Sequence, residues 1–324
     1  MEGSRILVVR LSSMGDVLHT LPAVASLKHS LPHSRLSWLI QPRWAPLLED
    51  NPFLDEIIPL DRRSLTSMRN ALRRLRASRF DAAVDFQGLV QSALAAALAR
   101  PDRLYGFSQS QARERPAALF YSHTVTVRSV HVVDRYLELA AAAGASSTLR
   151  AFPVPAGRAE GDLPLDRFVL ASPLAGWGSK QWPLENFTAL ARRLRSELGL
   201  PLVVNGAPDA AAALGRIAGA GIHLSGIAGL IDATRRAAAV VGVDSGPLHL
   251  AAALSKPGVA IFGPTDPARN GPYGGTISVL RAAGVKTTHQ RGADPHPSMR
   301  AVSVDAVMEA LAAALSVRSA GCSA

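Results

Sequence analysis

The sequence has a single cysteine, Cys322, so no disulfide can form within the chain and a reducing compartment is expected. Aromatic residues make up only 5% of it. No zinc-ligand spacing and no aromatic RNA-binding signature is present, which removes nucleic acid from the expected partners. No apolar run approaches the ~18 residues of a membrane-spanning helix. The first such run, Ile6–Val9, lies between Arg5 and Arg10 and is too short for the core of a signal peptide. A soluble, cytoplasmic protein is expected. Glycine is scarce where a dinucleotide fold would need it. The first strand ends in Ser12-Ser13-Met14-Gly15-Asp16, which has one glycine where G-x-G-x-x-G needs three. Lysine is scarce as well: Lys28, Lys180, Lys256 and Lys286 stand among a basic complement that is otherwise arginine.

What is present is a chain of 324 residues, 48% hydrophobic, enough for two domains with full cores. The net charge of +10 implies an acidic partner, either a phosphorylated substrate or an anionic membrane surface. The charge is concentrated from Arg62 to Arg79, where seven arginines occur without one acid. Leu65, Met68, Leu72 and Leu75 recur there at helical spacing, so the segment is an amphipathic helix with a basic face. That face is either simply solvated or docks on anionic lipid headgroups, where each basic side chain contributes about 1 kcal/mol. Strand and helix patterns alternate along the chain and restart after a Pro- and Gly-rich stretch, Phe152–Asp166, which reads as a linker. The expected fold class is α/β, with two Rossmann-like doubly wound domains, 1–155 and 156–324, facing across a cleft.

Four strand-end turns carry residues suited to chemistry or to holding a ligand. Asp16 opens a helix after the first strand; it is either a helix cap or a general base toward a substrate hydroxyl. After the first strand of the second half, Gly176 and Gly178 let backbone approach a ligand, and Lys180 can set a point charge on a phosphate or sit on a surface loop. Asp244-Ser245-Gly246 ends the apolar run Ala239–Val243. It is an ordinary helix cap or an anion-binding turn, with His249 one turn further on as an added donor. Gly263-Pro264-Thr265-Asp266 ends the neighbouring strand, and ligands bind at such strand ends. The segment Thr287–Met299, with His289 and His296, lacks the ligand pattern of a metal site and reads as a plain loop.

Together these motifs resemble the heptosyltransferases of glycosyltransferase family nine, and the resemblance runs over nearly the whole chain. It rests on Ser12–Pro22, Asp85-Phe86-Gln87-Gly88-Leu89, Arg113-Glu114, Lys180-Gln181-Trp182-Pro183, Asp244-Ser245-Gly246 with His249, and Gly263–Pro267, in that order. The resemblance implies a GT-B architecture and no cofactor. It implies inverting, metal-independent transfer of L-glycero-D-manno-heptose from ADP-heptose to Kdo on lipid A, at the cytoplasmic face of the inner membrane. It further implies Asp16 as general base and Lys180 on the donor phosphates. Gly176, Asp244, Ser245, Gly246, Leu248, His249 and Thr265 are implied at the donor, and Ser13, Gly15, His19, Gln87 and Arg113 at the acceptor. One position departs from the family pattern. Ala210 stands where family members carry a Glu that contacts the donor nucleoside, and Asp209 is the adjacent carboxylate. The competing readings are a family member with another nucleotide sugar or acceptor, a nucleotide-sugar epimerase, and a binding paralogue without catalysis. Retention of both Asp16 and Lys180 argues against the last.

Overall fold

A computed structural model describes residues 3–288 and 290–320; His289 and Cys322 lie outside the described residues. The chain divides into two compact units between Pro155 and Ala156. In the first, β1 (Arg5–Val9) leads into α1 (Met14–Ser30), β2 (Arg35–Ile40), β3 (Glu56–Pro59) and α2 (Leu65–Ser78). Then follow β4 (Ala82–Asp85), α3 (Val90–Leu98), β5 (Arg103–Phe107), β6 (His123–Val125) and α4 (Val132–Ala142). The second unit runs β7 (Val169–Ser172), α5 (Leu184–Leu198), β8 (Leu202–Gly206), α6 (Ala211–Leu214), β9 (Gly221–Leu224) and α7 (Ile227–Arg236). It continues with β10 (Ala239–Val243), α8 (Gly246–Ala253), β11 (Gly258–Phe262), α9 (Pro267–Asn270), β12 (Ile277–Arg281), α10 (Pro297–Arg300) and α11 (Val304–Ala320).

Each unit holds one six-stranded sheet, ordered β3-β2-β1-β4-β5-β6 and β12-β11-β10-β7-β8-β9, with every pairing parallel. Counted within its own unit, the second order is the same as the first. Both are the doubly wound arrangement, whose direction of winding reverses between the first and fourth strands. The reversal falls between β1 and β4 in one sheet and between β7 and β10 in the other. Register sets the level of the exits: Val9 pairs with Asp85, and Gly242 with Ser172. The turns after each of these pairs therefore leave the sheet side by side.

The central strands are continuous apolar runs because helices cover both faces. Ile6 through Val9 and Ala82 through Val84 are fully buried, as are Leu18, Leu21, Val24 and Leu27 of α1. Each such aliphatic side chain contributes about 1.5–3 kcal/mol by leaving water. In the second unit Trp182 is buried edge-on against Phe187, and its indole N–H donates to the Val302 carbonyl at 2.9 Å.

Four details differ from the sequence reading. In α2 the buried residues are Ala71 and Leu75, while Leu65 is 70% exposed because it stands at the first helical position, clear of the sheet. The sequence pattern over 210–217 predicts a helix, but only α6 forms, preceded by a 3₁₀ turn over Pro208–Ala210 and closed at Gly215. The stretch read as a linker is partly bound to the second unit. The Arg158 amide donates to the Ala228 carbonyl at 3.1 Å, and Glu160 accepts from the Gly226 amide at 2.7 Å at the start of α7. The segment read as a plain loop contains α10.

Candidate active site

At the reversal point of the first sheet, β1 ends at Val9, Arg10 follows it, and α1 begins after Ser13, which places Asp16 in its first turn. The Asp16 carboxylate is fixed from both sides. Oδ1 lies 2.6 Å from Arg10 Nη2, and Oδ2 accepts from the Ser13 amide and hydroxyl, each at 3.1 Å. Burial raises the Asp16 pKa, but the Arg10 charge and the Ser13 bonds outweigh it and bring it to about 2. The side chain remains 27% exposed, so the carboxylate is both ionised and reachable.

Arg10 is the residue the sequence reading missed, having figured there only as a strand flank. It is buried, donates from Nη1 to the Phe86 carbonyl at 2.6 Å, and lies over the Tyr136 ring at 5.5 Å. Burial pushes the Tyr136 phenol up to about 12 against the pull of Arg10.

Gln87 and Arg113 follow from the β4 turn. Gln87 is buried and accepts from the Leu11 amide through Oε1 at 2.7 Å, tying the two strand exits together. Beneath it, buried Asp85 accepts from the Gln87 and Gly88 amides, Ser92 Oγ and Tyr121 Oη. Burial raises the Asp85 pKa against those four donors. Gly88 sits at φ +67°, and a Cβ there would lie 3.2 Å from the Arg113 amide. Only glycine suits that conformation and that approach. The Glu114 amide donates to the Gly88 carbonyl at 2.9 Å and its carboxylate accepts from the Val90 amide at 2.7 Å, which holds exposed Arg113 beside the turn. Gly15 is buried in the first turn of α1, Ser13 is exposed, and His19 is buried edge-on to His131 with ring centroids 5.9 Å apart.

At the reversal point of the second sheet, Lys180 Nζ lies 2.6 Å from Asp244 Oδ2, and His249 Nε2 lies 3.6 Å from Asp244 Oδ1. Asp244 is 8% exposed. Burial raises its pKa, but His249 and Lys180 hold it well below the usual carboxylate range. At the start of α8, Pro247 has no N–H, and the Leu248 and His249 amides turn to the Ser245 carbonyl at 3.2 and 3.4 Å. The Gly246 amide is left at the helix start. The Leu248 side chain is buried, and it packs under Gly242. Two hydroxyls border this edge, Ser245 Oγ and Thr265 Oγ1. Both are buried and without a hydrogen-bond partner among the described residues. A buried hydroxyl left unpaired is costly, and a polar ligand at the strand edge would satisfy both.

Gly176 is exposed with open space around it, so its own surroundings do not require a glycine. Asp209 is exposed, and Ala210 is half-buried against the core. Among the described residues no group of three or more His, Cys, Asp or Glu could hold a metal ion, and no helix is long and apolar enough to cross a membrane.

Comparison with known proteins gives these two clusters a context. Residues 68–297 match the model of glycosyltransferase family 9 (heptosyltransferase). Lipopolysaccharide heptosyltransferase 1 of Pseudomonas aeruginosa is 30% identical, over 83% of this chain and 81% of that protein. The structure of Escherichia coli heptosyltransferase WaaC with ADP superposes with a TM-score of 0.78 at 27% identity, covering 96% of this chain and 99% of that one. The same enzyme with ADP-2-deoxy-2-fluoro heptose gives 0.77, covering 95% and 99%. The paired Rossmann-like sheets are thus of the GT-B class, and a match over most of the chain, joined to a shared fold, fixes its kinship: the protein belongs to glycosyltransferase family 9, the heptosyltransferases, and is a glycosyltransferase.

Proposed function

We propose that this enzyme transfers L-glycero-D-manno-heptose from ADP-heptose to a Kdo sugar of lipid A, with inversion and without a metal. The observation that carries the proposal is that each unit has its own polar cluster, of unlike chemistry, at the equivalent position of its sheet. One is an ionised, reachable carboxylate at Asp16. The other is a turn where Lys180 and His249 meet Asp244 beside two hydroxyls, Ser245 and Thr265, that have no partner among the described residues.

In the reaction, a Kdo hydroxyl within about 3 Å of Asp16 attacks the anomeric carbon of the heptose. A carbon–oxygen bond forms on one face as the bond to the diphosphate breaks on the other, and the electron pair departs with ADP. The hydroxyl proton passes to Asp16 and from there to water. A carboxylate with a pKa of about 2 is a weak base. It serves here because the attacking oxygen becomes strongly acidic as its new bond forms, so proton transfer falls late. Lys180, His249 and the Gly246 amide stabilise the charge that develops on the leaving diphosphate. The donor is a substrate, and no cofactor is required. The acceptor is lipid-borne, and the exposed arginines of α2, Arg69, Arg73 and Arg76, suit the anionic cytoplasmic face of the inner membrane.

Ala210, where the family carries Glu, favours one second reading: the same reaction with a different nucleotide sugar. Both readings are tested by incubating the protein with Kdo-lipid A and a panel of nucleotide sugars in EDTA, with products weighed by mass spectrometry. A heptose mass gain from ADP-heptose in EDTA is expected. A gain only from another nucleotide sugar supports the second reading, and a gain only after a divalent cation is restored refutes metal independence.

A further inference from the structure

The segment 290–296 lies directly on the turn that bears Lys180. The Ser179 amide donates to the Gly292 carbonyl at 3.0 Å, Ser179 Oγ to the Gln290 carbonyl at 3.3 Å, and the His296 amide to the Ser179 carbonyl at 3.2 Å. A Cβ at Gly178 would fall 1.7 Å from the Ala293 carbonyl oxygen, so any other residue there would lift the segment away. The contact delivers Arg291. Its guanidinium carbon is 4.8 Å from the centroid of the Trp177 ring, and Lys180 Nζ is 4.5 Å from the same centroid. One indole therefore holds two cations beside the Asp244 turn.

The charges there make Arg291 matter. Lys180 is paired with Asp244 at 2.6 Å, so the two together contribute no net charge, and His249 leans on the same carboxylate. A nucleoside diphosphate brings several negative charges, and its departure adds to them. Among the described residues no carboxylate forms an ion pair with Arg291, which is exposed. Its fork of donors can grip two phosphate oxygens together, which an ammonium does not do.

We propose that Arg291 is a donor-binding residue: its guanidinium takes oxygens of the donor diphosphate, with Trp177 as the platform that aligns it with Lys180, and it sets preference for a nucleoside diphosphate over a monophosphate. The proposal rests on the donor reading given above. It is tested by calorimetric titration of the full chain with ADP, AMP and adenosine, comparing wild type with Arg291→Ala and Arg291→Lys, alongside thermal melts. Wild type binds ADP, and Arg291→Ala weakens ADP by about tenfold or more while leaving adenosine unchanged and the melt in place. Arg291→Lys recovers part of the loss, and the ADP affinity of wild type falls more steeply with salt than that of Arg291→Ala. An Arg291→Ala protein that binds ADP as wild type does overturns the proposal while the donor reading stands. Equal losses for ADP and adenosine also overturn it, because they show that the segment only supports the fold. A wild type with no affinity for ADP removes the donor reading and this proposal with it.

Discussion

Arg10→Met is the perturbation that most directly probes how Asp16 is tuned. The substitution keeps an unbranched side chain over Tyr136 but removes the guanidinium that lies 2.6 Å from Asp16 and 2.6 Å from the Phe86 carbonyl. Asp16 then keeps the Ser13 bonds and its burial, and loses the charge that holds its pKa at about 2 against an ordinary value of 3.8. At about 1.4 kcal/mol per pKa unit the net lowering, which Arg10 and the Ser13 bonds produce together against burial, is worth about 2.5 kcal/mol. With 27% of the side chain exposed to screening, about 1–2 kcal/mol is the realistic share. Because the folded pKa is the lower one, this stability is fully present above the unfolded pKa near 4 and is lost as pH falls toward 2. Urea unfolding from pH 7 to pH 2 is the assay. Wild type should exceed Arg10→Met by about 1–2 kcal/mol near neutrality from this source, plus the lost Phe86 bond, and the gap should narrow below pH 4. In parallel, the acidic limb of the transfer rate should move from near 2 to 4 or above. A gap that does not change with pH, or an unmoved acidic limb, would refute the coupling of Arg10 to Asp16.

Three other expectations follow from the same geometry. Lys180→Ala leaves Asp244, 8% exposed, with His249 at 3.6 Å as its remaining neighbour in that cluster; a stability loss of about 3 kcal/mol by chemical denaturation and a loss of ADP affinity by calorimetry are expected. Thr265→Val replaces a buried hydroxyl that has no partner among the described residues, so stability should be unchanged or slightly higher while ADP affinity falls severalfold; a marked destabilisation would show that the hydroxyl serves the fold. Replacing Arg69, Arg73 and Arg76 of α2 with Gln should reduce sedimentation with anionic vesicles, most clearly at low salt, and equal sedimentation would return that face to plain solvation.

The parts of the fold legible in the sequence are those whose apolar pattern is set by complete burial. β1, β4, β10 and β11 are such runs, and the pattern over 184–198 predicts α5 with the bounds it has, because Leu190 and Leu194 sit four apart beneath an Arg-rich face, with Gly199 closing the helix at φ +65°. The edge strands β3, β6, β9 and β12 escaped because each has one free side, where Glu56, His123, Gly221 and Arg281 break the run. At the site, Asp16, Lys180 and Asp244 are legible because each stands at a strand-to-helix turn. Arg10 is not, since a strand-end arginine becomes a carboxylate partner only once β1 and α1 are folded back on each other. Arg291 is hidden for the same reason: more than a hundred residues separate it from Trp177, and the glycine that admits the contact, Gly178, reads from sequence as flexibility toward a ligand.

Asp16 is assigned to the chemical step rather than to holding the donor. The most direct measurement is single-turnover transfer from ADP-heptose to Kdo-lipid A by Asp16→Ala and Asp16→Asn, with ADP affinity measured on the same preparations. Transfer should fall by several orders of magnitude in both variants while ADP affinity stays within a few-fold of wild type. Transfer at a rate near wild type, or a collapse of ADP binding that accounts for the lost rate, would contradict that assignment.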